Sequence, residues 1–236
     1  MFNHLGMESV NSESQGGVGM RNFDFYEFVG IIVPGSALLI SIGFLFKVDS
    51  VSFLLVPNSF GGLGAHVLIA YITGHLLQAI GNYIEYLYWK AWKGMPTDWP
   101  VSRAEACKFP GATEALLKLC QTESITKDLQ VWRGLVAQAR SAIYSKGHAT
   151  RLQYFNGTYG MFRGIVADGF VVACFAWASQ VDVKLVYPVI AVVVGISLNR
   201  MHRFAVHYAN ELFSSAKVLA SNKVGVGDES NGTESR

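Results

Sequence analysis

Residues 28–46 read FVGIIVPGSALLISIGFLF and carry no charged side chain. A helix needs about 20 mostly apolar residues to cross the hydrocarbon core of a bilayer, so this segment predicts a transmembrane helix. Pro34 removes one backbone hydrogen bond near its start and predicts a kink there. The charged residues that precede it most closely, Asp24 and Glu27, are acidic, whereas a secretory signal peptide begins with basic residues. We therefore expect a retained membrane span.

Three further stretches have the same apolar character and complete the fold prediction. They are residues 63–86, 164–180 and 183–198. The last two are joined by only a few residues, which predicts an antiparallel helical hairpin. Of the 236 residues, 51% are hydrophobic and 15% are charged, which excludes a disordered chain and a highly charged nucleic-acid-binding tail. We predict an all-α integral membrane protein with four transmembrane helices.

Lysine and arginine are distributed unevenly around the four spans. Seventeen of the 19 lie in residues 1–27, 90–163 and 199–236, which four spans place on one side of the membrane. The other two, Lys47 and Lys184, lie in the loops on the opposite side. Because positive charge collects on the cytoplasmic side of membrane proteins, we expect both termini to be cytoplasmic.

The region between the second and third spans predicts a small helical cytoplasmic domain. Within it, residues 126–145 place apolar side chains on one face of an amphipathic helix. These apolar residues are Leu129, Trp132, Val136, Ala139 and Ile143. The predicted divisions are a flexible N-terminus (1–22), helices 1 and 2 (23–93), the basic cytoplasmic domain (94–162), helices 3 and 4 with a cytoplasmic helical extension (163–220), and a disordered tail (221–236).

This middle region is strongly basic. Residues 90–163 hold eleven basic and five acidic side chains, a net charge of +6, whereas the whole chain carries +2. The charge either sets the topology and contacts anionic lipid headgroups, or binds an anionic ligand such as a nucleotide or oligonucleotide. The candidate ligand-binding residues are Arg133, Arg140, Lys146 and Arg151.

Polar side chains form two stripes in or beside the spans. The second span carries His75, Gln78, Asn82 and Glu85, and the fourth ends with Arg200, Arg203, His207 and Asn210. Spacings of three, four and three residues place each set on one helical face. Such groups are costly in hydrocarbon unless they are paired or hydrated. Either Glu85 and Asp168 pair with Arg163, Arg200 or Arg203 in an interhelical network, or some of these residues line a hydrated conduit.

Catalytic signatures are missing from the sequence. It contains no P-loop, GxSxG or HExxH motif, and Cys107, Cys120 and Cys174 form no CxxC pair. His202 and His207 are five residues apart, which misses the i, i+4 spacing of a helical zinc site. We therefore expect no enzyme, no bound metal and no cofactor.

Five motifs resemble a family of small bacterial membrane proteins that are encoded beside antiphage systems. The motifs are FDFYEFVGIIVPG (23–35), GHLLQAIGNYIEYLYWK (74–90), GMPTDW (94–99), RLQYFNGTYGMFRG (151–164) and NRMHRFAVHYANELF (199–213). They are similar to the membrane effectors of nucleotidyltransferase-linked defence systems of the Hailong and CBASS types. The resemblance implies an inner-membrane oligomer that a nucleotide or DNA-oligomer product controls and that conducts ions or disrupts the membrane. It also implies that a nucleotidyltransferase is encoded nearby.

Three functions are consistent with these features. We expect an oligomeric ion channel or membrane-permeabilising effector in contact with membrane lipid. Four spans are too few to enclose a wide pore in one chain, so a homo-oligomer is expected, with a tetramer favoured. The alternatives are a four-span scaffold that recruits a soluble partner and an integral membrane enzyme that acts on lipid headgroups.

Overall fold

The computed structural model describes residues 28–46, 60–102, 109–122, 128–146, 150–178, 184 and 186–229. Within these ranges every regular element is a helix. Four helices are long and apolar enough to cross a membrane, which confirms an all-α protein with four candidate spans. The spans lie within Phe28–Leu45, Gly62–Ala91, Thr150–Ala178 and Val186–Asn222. The predicted flexible N-terminus, residues 1–22, lies outside the described residues.

The four membrane helices are α1 (Val33–Phe46), α2 (Phe60–Ala91), α6 (Thr150–Ala178) and α7 (Val186–Glu229). A π-helical turn, Phe28–Ile32, precedes α1. Between α2 and α6 lie three shorter helices: α3 (Trp99–Ser102), α4 (Ala112–Cys120) and α5 (Leu129–Ser145). We call the described residues from 92 to 146, which carry these three helices, the cap.

Helices α6 and α7 continue across the divisions that hydropathy predicted. Helix α6 already begins at Thr150, so it crosses the division after residue 162. Helix α7 reaches Glu229 and so extends past residue 220, where a disordered tail was predicted to begin. Mean hydropathy falls where the two helices leave the apolar layer, but buried side chains on both continue into the cap. Residues 230–236 of the predicted tail lie outside the described part of the chain.

One apolar core joins the cap to the ends of the long helices. Trp132 and Ile143 of α5 are fully buried, as are Leu116 of α4, Leu152 of α6 and Leu212 of α7. The amphipathic helix predicted from the apolar spacing is α5, and Trp132, Ala139 and Ile143 lie on its buried face. The cap is therefore not a separate globule, because α6 and α7 supply part of its core.

Helices α1 and α2 cross with their backbones in close contact. A Cβ atom added at Gly35 would overlap the carbonyl oxygen of Ala70, and one added at Gly74 would overlap that of Ile31. Small residues of this kind let membrane helices approach each other closely. The crossing holds the π-helical turn against the middle of α2.

Helices α6 and α7 form the predicted antiparallel hairpin. Gly169 of α6 lies beside Ile190 and Val194 near the start of α7. Towards the other end of the hairpin, the rings of Phe162 and Phe204 stack with their centroids 5.8 Å apart. The earlier residue of α6 therefore contacts the later residue of α7, which makes the two helices antiparallel, as their short connection requires.

Candidate ligand pocket and intramembrane polar network

Gln78 links three separate parts of the membrane bundle. Its amide Nε2 donates to the carbonyl oxygen of Gly30 in the π-helical turn and to that of Gly160 in α6, the latter at 2.9 Å. Its Oε1 accepts hydrogen bonds from two nitrogens of the Arg163 guanidinium, with Nε at 3.0 Å. The side chain is buried, and its donors and acceptor are all used. Gln78 therefore connects α2 to the start of the first span and to α6.

Arg163 also forms an ion pair with Glu85. Its Nη1 donates to Glu85 Oε2, and the two side chains are only 14% and 15% exposed. Gly81 leaves room for the arginine, because a Cβ there would lie 3.0 Å from Arg163 Cγ. Removing one partner from a buried pair of this kind leaves an uncompensated charge. The prediction that Glu85 pairs with a cationic side chain agrees with this geometry.

A pocket opens where this ion pair meets the cap. It has a volume of about 240 Å³ and includes Glu85 and Arg163 in its lining. Arg140 reaches it from α5, and Asn156 and Tyr159 reach it from α6. The remaining lining residues are Met95, Pro96, Thr97, Val136, Gly160, Ala205 and Tyr208. We call this space the Arg140 pocket. It places a second guanidinium near the Arg163–Glu85 pair.

The four predicted ligand-binding residues lie in different surroundings. Arg133 donates hydrogen bonds to the carboxylate of Asp98, with its Nη2 2.7 Å from Asp98 Oδ2. These hydrogen bonds raise the pKa of the Arg133 guanidinium. Lys146 is exposed at the end of α5. The Arg151 side chain is 79% exposed, and its Nη1 lies 4.0 Å from Glu211 Oε2. Of the four, Arg140 alone lines the Arg140 pocket.

The stripe predicted on the second span is divided between two environments. Gln78 and Glu85 face the inside of the bundle, whereas His75 and Asn82 are exposed on the outer face of α2. The stripe therefore covers the boundary between the packed side and the open side of α2. Helical spacing identified the common face but not the neighbours that each residue meets.

Asp168 does not form the predicted ion pair. The residue is buried, and its Oδ1 has no hydrogen-bond partner in the described part of the chain. Arg163, on the same helix, already binds Glu85 and Gln78. Arg200 and Arg203 are exposed on α7. The expectation of a cationic partner for Asp168 is therefore wrong for the described residues.

The stripe at the end of the fourth span lies mainly on the outer surface of α7. His207 is exposed and its ring stacks on Phe155, with the centroids 5.8 Å apart. Arg200, Arg203 and Asn210 are also exposed. These residues form no part of the Gln78 network or of the Arg140 pocket.

Several residues of the Arg140 pocket and one aromatic cluster were not predicted from the sequence. Those with side chains able to hydrogen-bond include Asn156, Tyr159 and Tyr208. Asn156, Tyr159 and Arg163 are spaced by three and four residues, so one helical face was a usable signal. Trp89 Nε1 donates to the Tyr159 hydroxyl oxygen at 2.8 Å and so joins the end of α2 to this pocket.

The aromatic cluster surrounds His202 of α7. The rings of Tyr88, Trp89, Trp92 and Trp99 lie 4.6 to 6.2 Å from the His202 ring, measured between centroids. The Tyr88 hydroxyl oxygen is 3.1 Å from His202 Nδ1. These contacts attach the end of α2 and the start of the cap to α7.

No protein-family model, curated protein or solved structure matches this chain. Among the described residues, no group of three His, Cys, Asp or Glu side chains is placed to hold a metal ion. The candidate site is a basic pocket connected by hydrogen bonds to a buried network between membrane helices.

Proposed function

We propose that this chain is an oligomeric membrane channel or membrane-permeabilising effector that an anionic ligand controls through the Arg140 pocket. One observation carries the proposal: the pocket is lined by the same Arg163–Glu85 pair that continues through Gln78 to the π-helical turn. A ligand bound beside the cap therefore has a direct physical connection to the packing of α1, α2 and α6.

The proposed control is a competition for Arg163. An anion held by Arg140 would also attract the Arg163 guanidinium, which binds Glu85 and Gln78. A change in those hydrogen bonds alters how Gln78 holds Gly30 and Gly160. Single π-helical turns within α-helices are frequently found at functional sites, and this one leads directly into α1. The ligand would thus change the relative position of the first span and α6.

The size and charge of the pocket favour a phosphate-containing ligand. Its volume of about 240 Å³ is below the roughly 300–1,000 Å³ of sites that enclose a whole drug-sized molecule. We therefore expect one phosphate and its adjacent group to enter, while the rest of a nucleotide or short DNA lies over the exposed surface of α5. Arg133 lies two turns from Arg140, about 10 Å along that helix.

The resemblance to antiphage membrane effectors supports the same function. It suggests a bacterial inner-membrane oligomer, with a tetramer favoured, and a nucleotidyltransferase whose product is the ligand. If Arg200 and Arg203 surround the pore mouth, the conducted ions would be mainly anions. Conductance of the purified protein in liposomes separates this function from a scaffold or a lipid-modifying enzyme.

Replacing Arg140 with alanine is expected to weaken ligand binding by about tenfold to a hundredfold, because charge-assisted hydrogen bonds contribute about 1.5–3 kcal/mol. Deoxynucleoside triphosphates and short DNA oligonucleotides of mixed sequence are the probes, tested for binding to the purified oligomer at two salt concentrations. Binding by the wild type should fall as salt rises.

The matched control for this experiment is Lys118→Ala, which removes the same charge from an exposed residue of α4 outside the Arg140 pocket. It should bind like the wild type. Equal binding by Arg140→Ala and wild type would exclude the Arg140 pocket as the ligand site. If the protein in liposomes shows no conductance with each of these probes, the scaffold function is favoured.

We also propose that the cap and both termini face the cytoplasm, since 17 of the 19 lysines and arginines lie on that side of the four spans. A cysteine introduced at the exposed position 140 should be shielded from an impermeant thiol reagent in intact cells and should react after lysis. A cysteine at Lys184, in the connection between α6 and α7, should react in intact cells. The reverse pattern would overturn this orientation.

A further inference from the structure

A row of exposed residues runs along the outer face of α2. They are Leu68, Ile72, His75, Ala79, Asn82 and Tyr86. The inward side of the same helix is occupied by contacts of Gly74, Gln78 and Gly81 with the first span and α6. The row therefore lies on a side of α2 that the described chain leaves open. We call these six residues the α2 seam.

The spacing of the α2 seam is compatible with a helix–helix contact. Its members alternate in steps of four and three residues, which is the heptad pattern of the contact line in a coiled coil. A seven-residue repeat keeps one line of a helix facing a partner when the two supercoil with a left hand. Ala79, near its middle, lets two backbones approach each other.

Two members of the seam are polar and lie at membrane depth. Neither His75 nor Asn82 has a hydrogen-bond partner in the described chain, although His75 packs on the Tyr71 ring with a centroid separation of 4.6 Å. His75 is eleven residues from Tyr86, about 16 Å along the helix, which is half of a bilayer's ~30 Å hydrocarbon core. Polar groups at this depth are costly against lipid and face protein or water.

We propose that the α2 seam is the contact with a second copy of this chain, whose α2 packs parallel to the first. Copies of one membrane protein share one orientation, so a symmetry axis along the membrane normal brings each seam residue opposite its own equivalent. The Asn82 amide has both donors and an acceptor, so two or more copies satisfy one another's amides. The polar site at Asn82 is incomplete within one chain.

This inference deepens the proposed function, since it places α2 at the subunit interface of the oligomer. His75 and Asn82 then form polar rings around the axis, at the centre of the membrane and nearer the cap. Their neighbours Gln78 and Glu85 belong to the network that reaches the Arg140 pocket. A ligand in that pocket would therefore act on the helix that holds the subunits together.

Disulfide crosslinking along α2 tests the α2 seam. Single cysteines are introduced in a chain without Cys107, Cys120 and Cys174, and the protein is oxidised in native membranes. Cysteines at positions 72, 79 and 82 should give covalent dimers, whereas the matched controls at 69, 76 and 87 should give several-fold less. The controls are also exposed on α2 but lie off the seam.

Crosslinking that is strongest at the control positions, or at position 196 on the open face of α7, would overturn the proposal. Equal crosslinking at all positions would do the same, because it indicates random collision. Failure of the cysteine variants to insert is detected by membrane fractionation, and the measurement below does not depend on them.

Asn82→Leu provides the second measurement. Replacing the amide should weaken self-association in detergent by about three- to eighteen-fold, which corresponds to the average and the maximum strength measured for hydrogen bonds between membrane helices. Asn82→Gln should restore most of it, because glutamine keeps the donors and the acceptor. Association that is unchanged in Asn82→Leu would overturn the inference. Conductance is measured separately: a channel without seam crosslinks would refute the seam alone, and seam crosslinks without conductance would refute the channel alone.

Discussion

Replacing Gly74 with leucine is expected to abolish the folded protein. The Cβ atom alone would overlap the carbonyl oxygen of Ile31 in the π-helical turn, and leucine adds three further carbon atoms beyond it. The obstacle is backbone rather than a flexible side chain, so relief requires the two helices to separate. Overpacking of an interior typically costs about 1–3 kcal/mol when side chains can adjust, and here they cannot. The yield of monodisperse protein in detergent is the measurement.

Two controls give this experiment its specificity. Gly64 and Gly195 also lie in membrane helices, but a Cβ at either would meet nothing within 4 Å. Gly195→Ala should leave the thermal unfolding temperature unchanged or raise it, because alanine has the higher helix propensity by about 1 kcal/mol. Gly74→Ala should lower it clearly. Equal unfolding temperatures of the two alanine variants would contradict the close packing of α2 against the π-helical turn of the first span.

Hydropathy and charge predicted the existence of the four spans because those features depend on the segments themselves. The apolar run at residues 28–46 needs no knowledge of its neighbours to be identified as a span. The same holds for α5, whose apolar spacing required one buried face and correctly assigned Trp132 and Ile143 to it. The hydropathy of a span and the apolar face of a helix do not depend on the rest of the chain.

The extent of α6 and α7 depends on tertiary contacts and could not be predicted in this way. Between Thr150 and Arg163 the sequence of α6 is polar enough to suggest a domain boundary. Leu152 and Tyr159 nevertheless lie in the core shared with the cap. Long-range packing therefore maintains a helix where local hydropathy indicates its end.

The candidate site shows the same limit. Periodicity placed Gln78 and Asn82 on one face, yet one is buried in a network and the other is exposed. Arg133 and Arg140 lie two turns apart, yet Asp98 binds the first and the Arg140 pocket receives the second. The partner in each case comes from a distant part of the chain. Periodicity in a single sequence predicts which residues share a helical face. The residues that pack against that face depend on the tertiary fold.

Replacing Arg163 with methionine is the second change with a large expected effect. It leaves the Glu85 carboxylate without its cation and removes two hydrogen bonds from Gln78 Oε1. Breaking one side of a buried ion pair costs about 3–5 kcal/mol. We expect the folded state to be much less stable in detergent. The measurement is thermal unfolding, monitored by intrinsic tryptophan fluorescence.

A second substitution separates charge from packing in this prediction. Glu85→Leu combined with Arg163→Met removes the uncompensated carboxylate, so the double variant should be more stable than Arg163→Met alone, because apolar replacement of a whole buried pair is often neutral. The matched surface pair is Arg151 and Glu211, where Arg151→Met should change stability by no more than about 1 kcal/mol, as exposed pairs do. If Arg163→Met were as mild as Arg151→Met, water would already be screening the Arg163–Glu85 pair. The Gln78 network would then be too weak to carry a signal from the Arg140 pocket into the membrane helices.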